Sequence, residues 1–390
     1  MEGMTNDRDI RNRSVVNNVR EILERRGLSQ RDFARLIGKN EAEVSRWFSG
    51  RVSISHRSQQ KIEQALAEPI SADSTYRLSV EEIRIGLIGT GNIAGRFMRE
   101  VVHVNGVRVT AAFNPREADV ERFCRQYDID RCTSDIAELL AGVDAVYIAS
   151  PVNTHFEYAR MALESGCHVL CEMPFVNCRS EVDQLYRLAM KRGLTLMPAL
   201  KTSYCPSFQQ MIMVAQSGII GEVTDISATV TNLLPDDVDT DFANERMMEN
   251  FSYPLLVFFK LLGLEYRHLH SFVKANGRKV LFTHTYVEYD RAVGSFKVGV
   301  GVKSEGSLVI SGTNGYIYVP APWWKPDYFE ARFENPADNK KYFFPYEADG
   351  LRYEIQAFAD RIYHRSSAEY VRKADIMRMT EIQNRIIRKN

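Results

Sequence analysis

The chain has 390 residues, 45% of them hydrophobic, and this length predicts two or three domains. Its 50 Lys and Arg residues balance 50 Asp and Glu residues, which excludes a uniformly basic protein that binds polyanions over its whole surface. There is no apolar signal-like segment at the N-terminus and no run of about 18 apolar residues, so we expect a cytoplasmic protein without a membrane partner.

The charge is distributed unevenly along the chain. Between Arg11 and Gln60 there are 11 Lys and Arg residues against 5 Asp and Glu residues, a surplus of 11 − 5 = 6. The remainder of the chain must therefore be acidic by about the same amount. A basic module on a mildly acidic body indicates a polyanionic partner for the N-terminal region.

The six cysteines form no C-x-x-C pair and no cluster with the spacing of a metal site. His268, His270 and His284 alternate along strand-like segments and are expected to be surface or core residues. No metal is therefore predicted, and the cysteines fit a reducing compartment.

Two short helices are predicted near the N-terminus. Ser29 precedes QRDFARLIG and Asn40 precedes EAEVSRWFSG, and both residue types are good N-caps. Gly38 lies in the tight turn between the two segments. This pattern predicts a helix-turn-helix within a domain of residues 14–68, followed by a polar linker over residues 69–81.

The segment LSQRDFARLIGKNEAEVSRWFSG resembles the lambda-repressor/Cro-like family. The resemblance implies that Glu41–Phe48 is the recognition helix and that double-stranded DNA is the partner. The predicted DNA contacts are Gln30, Lys39, Glu41, Ala42 and Arg46. Because one such module binds weakly, we expect a dimer that binds two half-sites. The alternative is a helical assembly module without a DNA role.

A Gly-rich turn follows the linker. The apolar run Ile83–Ile88 leads into GTGNIAGRF, which predicts a strand, a turn and a helix at the start of a Rossmann domain, residues 82–200. In this arrangement the second glycine lets the backbone approach a pyrophosphate, and the helix N-terminus faces the anion. The predicted cofactor contacts here are Gly89, Gly91, Asn92, Ile93 and Ala94.

The second strand, VRVTAAF, ends in Asn114-Pro115-Arg116, where NAD enzymes usually have an acidic residue. Asn114 can bind a ribose hydroxyl, and Arg116 can pair with a 2′-phosphate. The sequence therefore favours NADP, while NAD remains open.

The segment AVYIASPVNTHFEYARMALESGCHVLCEMPF resembles the glucose–fructose oxidoreductase/inositol dehydrogenase family, as does SGIIGEV. The resemblance implies an α/β Rossmann domain and an α+β domain with an open mixed sheet over residues 201–390. It also implies hydride transfer between a nicotinamide and a sugar-like ligand, in a homodimer or homotetramer. The residues that it places beside the cofactor are Ser150, Pro151, Asn153, His155, Glu172, Met173 and Pro174.

The catalytic positions implied by this resemblance are altered. Met173 replaces the family's lysine, and Glu249 and Tyr253 best match its aspartate and histidine. In one hypothesis catalysis is rearranged, with Lys201, Tyr253 and Glu249 as the catalytic residues. In the other, the pocket binds ligand and dinucleotide without turnover and controls DNA binding. Aromatic residues in APWWKPDYFEARF either stack on a sugar or form an interface: Trp323, Trp324 and Tyr328.

Overall fold

The computed structural model describes residues 82–387 apart from 236, 345–347 and 364–367, together with 25–49, 56–66 and single residues between 16 and 54. The chain divides into two compact units, one ending at Glu81 and one beginning at Glu82. The predicted linker over residues 69–81 lies outside the described residues.

The N-terminal unit contains three described helices, α1 (Gln30–Leu36), α2 (Glu41–Phe48) and α3 (His56–Leu66). The Ser29 hydroxyl accepts a hydrogen bond from the Asp32 N–H, and the Asp32 carboxylate accepts one from the Ser29 N–H, which makes a capping box. The side chains of α1 and α2 pack with apolar residues from the rest of this unit. The buried core includes Val19, Ile22, Phe33, Val44, Trp47, Ile62 and Leu66.

The second unit begins with a six-stranded parallel sheet in the order β3-β2-β1-β4-β5-β6. Its strands are nearly continuous apolar runs because both faces are covered by helices. The strands are β1 (Ile83–Ile88), β2 (Val107–Phe113), β3 (Arg131–Thr133), β4 (Ala145–Ile148), β5 (His168–Glu172) and β6 (Leu196–Ala199). The helices are α4 (Asn92–Val101), α5 (Glu117–Tyr127), α6 (Ile136–Leu140), α7 (Val152–Glu164) and α8 (Arg179–Arg192).

An eight-stranded sheet follows, in the order β14-β13-β12-β11-β7-β10-β9-β8. The sheet is mixed because β7 and β10 are parallel, whereas the other neighbours are antiparallel. Its strands are β7 (Val223–Thr231), β8 (His268–Asn276), β9 (Lys279–Glu288), β10 (Val293–Gly299), β11 (Leu308–Gly312), β12 (Tyr316–Val319), β13 (Tyr328–Arg332) and β14 (Lys340–Phe343). The predicted combination of α/β and α+β architecture is confirmed.

Four helices complete this unit: α9 (Pro206–Gln216), α10 (Thr240–Leu261), α11 (Leu351–Ile362) and α12 (Lys373–Ile387). Helix α11 returns to the Rossmann sheet, where the buried Glu100 carboxylate of α4 accepts hydrogen bonds from the backbone and guanidinium of Arg352. Helix α10 packs on β7, β9 and β10 of the mixed sheet. The two sheets thus share one unit, and the space between them forms the candidate site.

Helix α10 begins well before the catalytic candidates Glu249 and Tyr253. It runs for 22 residues, with Pro254 inside it, and it starts where the Asp239 carboxylate accepts hydrogen bonds from Asp241 N and Phe242 N. Tyr253 is therefore in a helix interior, three and a half turns after the start. Among the described residues, no helix is long and apolar enough to cross a membrane.

Candidate active site and nucleic-acid interface

The Gly-rich turn has an open space in front of it in which a pyrophosphate group can bind. Gly89 has φ +103°, and a Cβ there would lie 2.5 Å from the Ala149 carbonyl oxygen, so only glycine fits. A Cβ at Gly91 would meet nothing within 4 Å, which shows an open cradle in front of the turn. Helix α4 begins at Asn92 without a side-chain cap, so its first N–H groups face this cradle. The residues present fit a bound dinucleotide phosphate.

The second strand ends beside this turn. The Asn114 amide donates to the Thr90 hydroxyl at 2.7 Å, and its oxygen accepts from the Arg116 N–H at 2.9 Å. Asn114 thus connects the Gly-rich turn to the end of β2. The Arg116 guanidinium is 81% exposed and pairs with Asp119 at 2.7 Å. An arginine in this position has to leave Asp119 to meet a 2′-phosphate.

The loop after β4 and the start of α7 contain further predicted cofactor residues. Pro151 and Asn153 are exposed, and the Ser150 hydroxyl hydrogen bonds to Thr154 at 2.7 Å. His155 is buried, and its two ring nitrogens lie 2.7 Å from the Ser150 carbonyl oxygen and 3.0 Å from the Pro174 carbonyl oxygen. A histidine used in this way positions two loops and does not itself present a ring nitrogen to a ligand.

A cavity of about 180 Å³ lies between the Rossmann sheet and the mixed sheet. Three sequence-predicted catalytic residues line it, and so do three predicted cofactor residues. Its full lining is Ile93, Arg96, Glu172, Met173, Ala199, Leu200, Lys201, Val230, Thr231, Asn232, Arg246, Glu249, Asn250, Tyr253, Trp324, Lys325 and Leu351. The fold therefore brings Lys201, Glu249 and Tyr253 to the same space as the Glu-Met-Pro turn.

Glu172 ends β5 at the floor of this cavity. The Tyr147 hydroxyl donates a hydrogen bond to one carboxylate oxygen, and the Met173 N–H donates to the other at 3.2 Å. Burial raises the pKa of Glu172 to about 7, with the carboxylate of Glu249 adding to the rise. Glu172 is therefore poised to hold or release a proton near neutral pH. Met173 is buried in the cavity wall and supplies only apolar surface.

Lys201 follows β6 in a short 3-10 turn, so its side chain enters the cavity at the carboxyl end of the parallel sheet. Burial lowers the pKa of Lys201, and the nearby Lys325 ammonium lowers it further. The carboxylate of Glu354 on α11 instead raises the pKa of Lys201. This glutamate is fully buried, and neither of its carboxylate oxygens has a hydrogen-bond partner among the described residues.

The opposite wall comes from α10 and the mixed sheet. The Arg246 guanidinium pairs with the Glu249 carboxylate three residues later, one helical turn along the cavity wall. The Asn250 amide donates to the Asn232 carbonyl oxygen at 3.1 Å. Burial raises the pKa of Tyr253 well above its usual value, so its phenol stays protonated.

The three aromatic residues considered for sugar stacking lie in three different environments. Trp324 lines the cavity, whereas Trp323 is completely buried and its indole N–H donates to the Thr229 carbonyl oxygen at 2.9 Å. Tyr328 lies on β13, where its ring packs beside Phe343, outside the cavity lining. The sugar-stacking hypothesis is therefore wrong for Trp323, which is a core residue.

The helix α2 has one buried face and one exposed face. Val44 and Trp47 are buried, whereas Glu41, Ala42 and Arg46 are exposed. The same surface also exposes Ser45, which sequence reasoning did not select. These residues share the outer side of the helix, as a base-contacting surface requires.

Two predicted phosphate contacts flank this exposed face. Lys39 forms an ion pair with Glu43 at 2.8 Å, which reduces the positive charge that it offers to a phosphate. Gln30 is partly exposed at the start of α1. Two further basic residues of the predicted helix-turn-helix domain could neutralise phosphates, Arg51 and Arg57, and their side chains lie outside the described residues.

Sequence reasoning missed several cavity residues. Arg246 precedes Glu249 by three positions, and this helical spacing is the signal that could have revealed it. Asn232 and Lys325 follow strand or aromatic segments without any motif of their own. Tyr147 and Glu354 look like ordinary strand and helix residues, and only the fold places them next to Glu172 and Lys201.

Comparison with known proteins gives two family matches. Residues 83–200 match an oxidoreductase family with an NAD-binding Rossmann fold, and residues 19–71 match a helix-turn-helix family. Both predicted families, and the nicotinamide dinucleotide as the cofactor class of the Rossmann domain, are confirmed.

Two curated relatives match part of the chain. The scyllo-inositol 2-dehydrogenase (NADP⁺) IolU of Bacillus subtilis is 34% identical over 131 residues, 33% of this chain and 40% of that protein. A dTDP-3,4-didehydro-2,6-dideoxy-α-D-glucose 3-reductase of Actinomadura kijaniata is 32% identical over 151 residues, 38% of this chain and 46% of that protein. The chain thus matches less than half the length of either relative.

Solved oxidoreductase structures share the fold of the second unit. The 3-ketoreductase KijD10 from Actinomadura kijaniata, solved with NADP and TDP-benzene, has a TM-score of 0.70 at 21% identity. The alignment covers 78% of this chain and 97% of that one. The UDP-N-acetylglucosamine 3-dehydrogenase GnnA from Acidithiobacillus ferrooxidans has a TM-score of 0.67 at 20% identity. Its alignment covers 78% of this chain and 96% of the GnnA chain.

Proposed function

We propose that the second unit is an NADP-dependent oxidoreductase that acts on a hydroxyl or carbonyl group of a sugar, a cyclitol or a sugar derivative. The observation that carries this proposal is the single cavity that Glu172, Lys201, Glu249 and Tyr253 line together. The two curated relatives described above act on an inositol and on a dTDP-linked sugar. When bound, the nicotinamide accepts or gives the hydride.

The proton of the reacting hydroxyl needs an acceptor in the cavity. Lys201 fills the chemical role that Met173 cannot, because its ammonium can polarise a carbonyl oxygen and its amine can accept a proton. Burial lowers the pKa of Lys201 and so makes its neutral amine easier to form. Tyr253 keeps its proton and serves as a donor to the substrate oxygen.

The acidic residues support these two groups. Glu172, with a pKa of about 7, can exchange a proton with the Lys201 side of the cavity. Glu249 is held by Arg246, which fixes the direction of its carboxylate on the α10 wall. Trp324 offers an aromatic face against which the apolar face of a sugar ring can pack.

The choice of NADP over NAD rests on the end of β2. Neither Asn114 nor Arg116 repels a 2′-phosphate as an aspartate would, and Arg116 can turn from Asp119 toward it. The relative IolU is named for NADP⁺.

We further propose that the helix-turn-helix unit binds double-stranded DNA through the exposed face of α2. In this proposal the exposed Arg46 makes a bidentate contact with guanine, and the exposed Glu41, Ala42 and Ser45 complete the surface. Gln30 and Lys39 serve the phosphate backbone. The excess of Lys and Arg in residues 11–60 attracts the phosphate groups of DNA.

A homodimer suits both units. Two helix-turn-helix modules bind two half-sites, which multiplies the weak affinity of one. The mixed sheet has an outer face on which Phe272, Tyr286 and Phe343 are exposed, and we propose that a second copy of the chain covers this face.

The cysteines fit a location in the cytoplasm. The five described cysteines of the Rossmann domain and Cys205 are all free thiols, as a reducing compartment keeps them.

A second candidate function follows from Met173. With no lysine in the Glu-Met-Pro turn, the cavity could bind ligand and dinucleotide without turnover and act as a sensor for the DNA-binding unit. Ligand control of DNA binding requires different affinities for the two DNA-binding states.

One experiment separates the two candidates. NADPH and NADH are titrated against the full chain by fluorescence, and turnover of sugars and cyclitols is followed at the nicotinamide absorbance band. Turnover that disappears in Lys201→Met supports the enzyme. Dinucleotide binding without turnover, together with ligand-dependent DNA affinity, supports the sensor.

A further inference from the structure

The cavity has an excess of positive side chains. Six charged residues line it, of which Arg96, Lys201, Arg246 and Lys325 are cationic and two, Glu172 and Glu249, are acidic. The formal charge of the lining is therefore 4 − 2 = +2. Arg96 also lines the space beside the Gly-rich turn and can serve the dinucleotide phosphates, whereas Lys201 and Lys325 do not line that space and remain for the ligand.

The ion pairs do not remove the surplus. Arg246 pairs with Glu249, one cation with one carboxylate. Lys325 and Arg96 share the single carboxylate of Asp349, at 2.6 Å and 3.8 Å. The Lys201 ammonium has no hydrogen bond or ion pair with any residue in the described part of the chain.

The acids nearest to Lys201 are poor counter-charges. Glu354 has two unpartnered, fully buried carboxylate oxygens, a state that is tolerable only for a neutral acid. Burial raises the pKa of Glu354 well above its usual value, in agreement with this. Glu172, with a pKa of about 7, is only partly ionised at neutral pH.

We infer that the ligand of this cavity is an acidic sugar, whose carboxylate or phosphate binds Lys325 beside Trp324 and balances the nearby charge of Lys201, which remains available to the reacting oxygen. An anion there supplies the missing counter-charge in a site shielded from water, where charge-assisted hydrogen bonds are strong. This inference rests on the proposed function because it concerns the same cavity.

The test compares each neutral sugar with its acidic counterparts. Full-length protein saturated with NADPH is titrated calorimetrically with glucose, galactose and mannose, with the three hexuronates and with the three hexose 6-phosphates. We expect at least one acid to bind about tenfold tighter than its neutral parent, as one charge-assisted hydrogen bond provides. The preference should shrink at high salt. The uronate and phosphate arms identify which acidic group the cavity accepts.

Variants of Lys325 make the test specific. Lys325→Met should remove most of the acid preference, Lys325→Arg should retain it, and Lys191→Met, an exposed lysine near the end of α8, should change nothing. The affinity for NADPH, measured separately, should be the same in all three variants. If the unmodified protein did not bind NADPH, that result would overturn the proposed cofactor and not the inference about acidic sugars. Equal or tighter binding of neutral sugars, no binding by either set, or a preference that survives Lys325→Met would overturn the inference.

Discussion

The rings of Tyr253 and Trp324 lie stacked on one wall of the cavity, with centroids 6.1 Å apart and planes inclined by 28°. One ring comes from the interior of α10 and the other from the segment between β12 and β13, 71 positions later in the chain. Neighbouring Trp323 crosses Trp324 nearly perpendicularly, at 88°, and points into the core. Two adjacent tryptophans therefore have different tasks.

This difference predicts opposite effects of two substitutions. Trp324→Ala should weaken sugar binding while lowering stability only slightly, because its ring lines a cavity. Trp323→Ala should lower the free energy of unfolding by about 3–5 kcal/mol, since it empties a core position and leaves the Thr229 carbonyl oxygen without its donor. Chemical denaturation and ligand titration of both variants check this, and equal stability losses would contradict it.

The buried Glu172 predicts a pH dependence of stability. Its pKa is raised from 4.5 to about 7, so the folded protein holds a proton that the unfolded chain has released between these values. The folded state is therefore favoured at the acidic end, and its stability should fall as pH rises through this window. Glu172→Gln should flatten that slope. Denaturation curves between pH 5 and about pH 8 measure it, and an unchanged slope in the variant would show that Glu172 is not the source.

The Gly-rich turn offers a matched pair of substitutions. Gly91→Val should leave the melting temperature nearly unchanged, because its side chain enters open space, yet abolish dinucleotide binding by filling the cradle. Gly89→Ala should destabilise the protein by at least about 1–3 kcal/mol, since φ is positive and the added Cβ meets the Ala149 carbonyl oxygen. Retained NADPH affinity in folded Gly91→Val would place the cofactor elsewhere.

Much of this arrangement was predictable from sequence. Ile83–Ile88 followed by Gly89 and Gly91 specified a strand, a turn and a helix because few other backbones use glycines at that spacing. Ser29 and Asn40 likewise specified the starts of α1 and α2, where each caps a helix as expected. Such features depend on neighbouring residues only, so the local sequence is sufficient.

The cavity walls depend on contacts between distant segments. Glu354 and Lys201 are brought together by α11 packing on the turn after β6, which no local pattern indicates. His155 is a residue type that often binds ligands, but both of its ring nitrogens lie within hydrogen-bond distance of carbonyl oxygens, those of Ser150 and Pro174. Which polar residues are free to bind a ligand is decided by tertiary hydrogen bonds, so sequence alone could nominate candidates but not sort them.

The recognition surface on α2 predicts a specific loss of DNA selectivity. Arg46→Ala should reduce discrimination at one base pair by about 1–3 kcal/mol, because a bidentate guanine contact is removed. Lys61→Ala on α3, an exposed residue outside the recognition helix, is the control. Operator selection from a random pool, followed by binding titrations, measures both. Unchanged selectivity in Arg46→Ala would show that another surface contacts the bases.

The proton chemistry predicts a large effect on turnover. Lys201→Met and Tyr253→Phe should each lower kcat by about 10²–10⁴-fold without preventing NADPH binding, because each removes a proton-transfer group from the cavity. Tyr318→Phe on β12 is the matched control outside the cavity lining. Steady-state rates with the best acidic sugar check this, and near-normal rates in Lys201→Met would exclude it as the replacement for the lysine missing at Met173.

The most direct test of the central claim is a fluorescence titration of the full chain with NADPH and NADH, continued as a turnover assay with acidic and neutral sugars at the nicotinamide band. The account predicts saturable binding, tighter for NADPH, and hydride transfer with at least one acidic sugar. Absence of binding by either dinucleotide would contradict it, whatever the DNA-binding unit does.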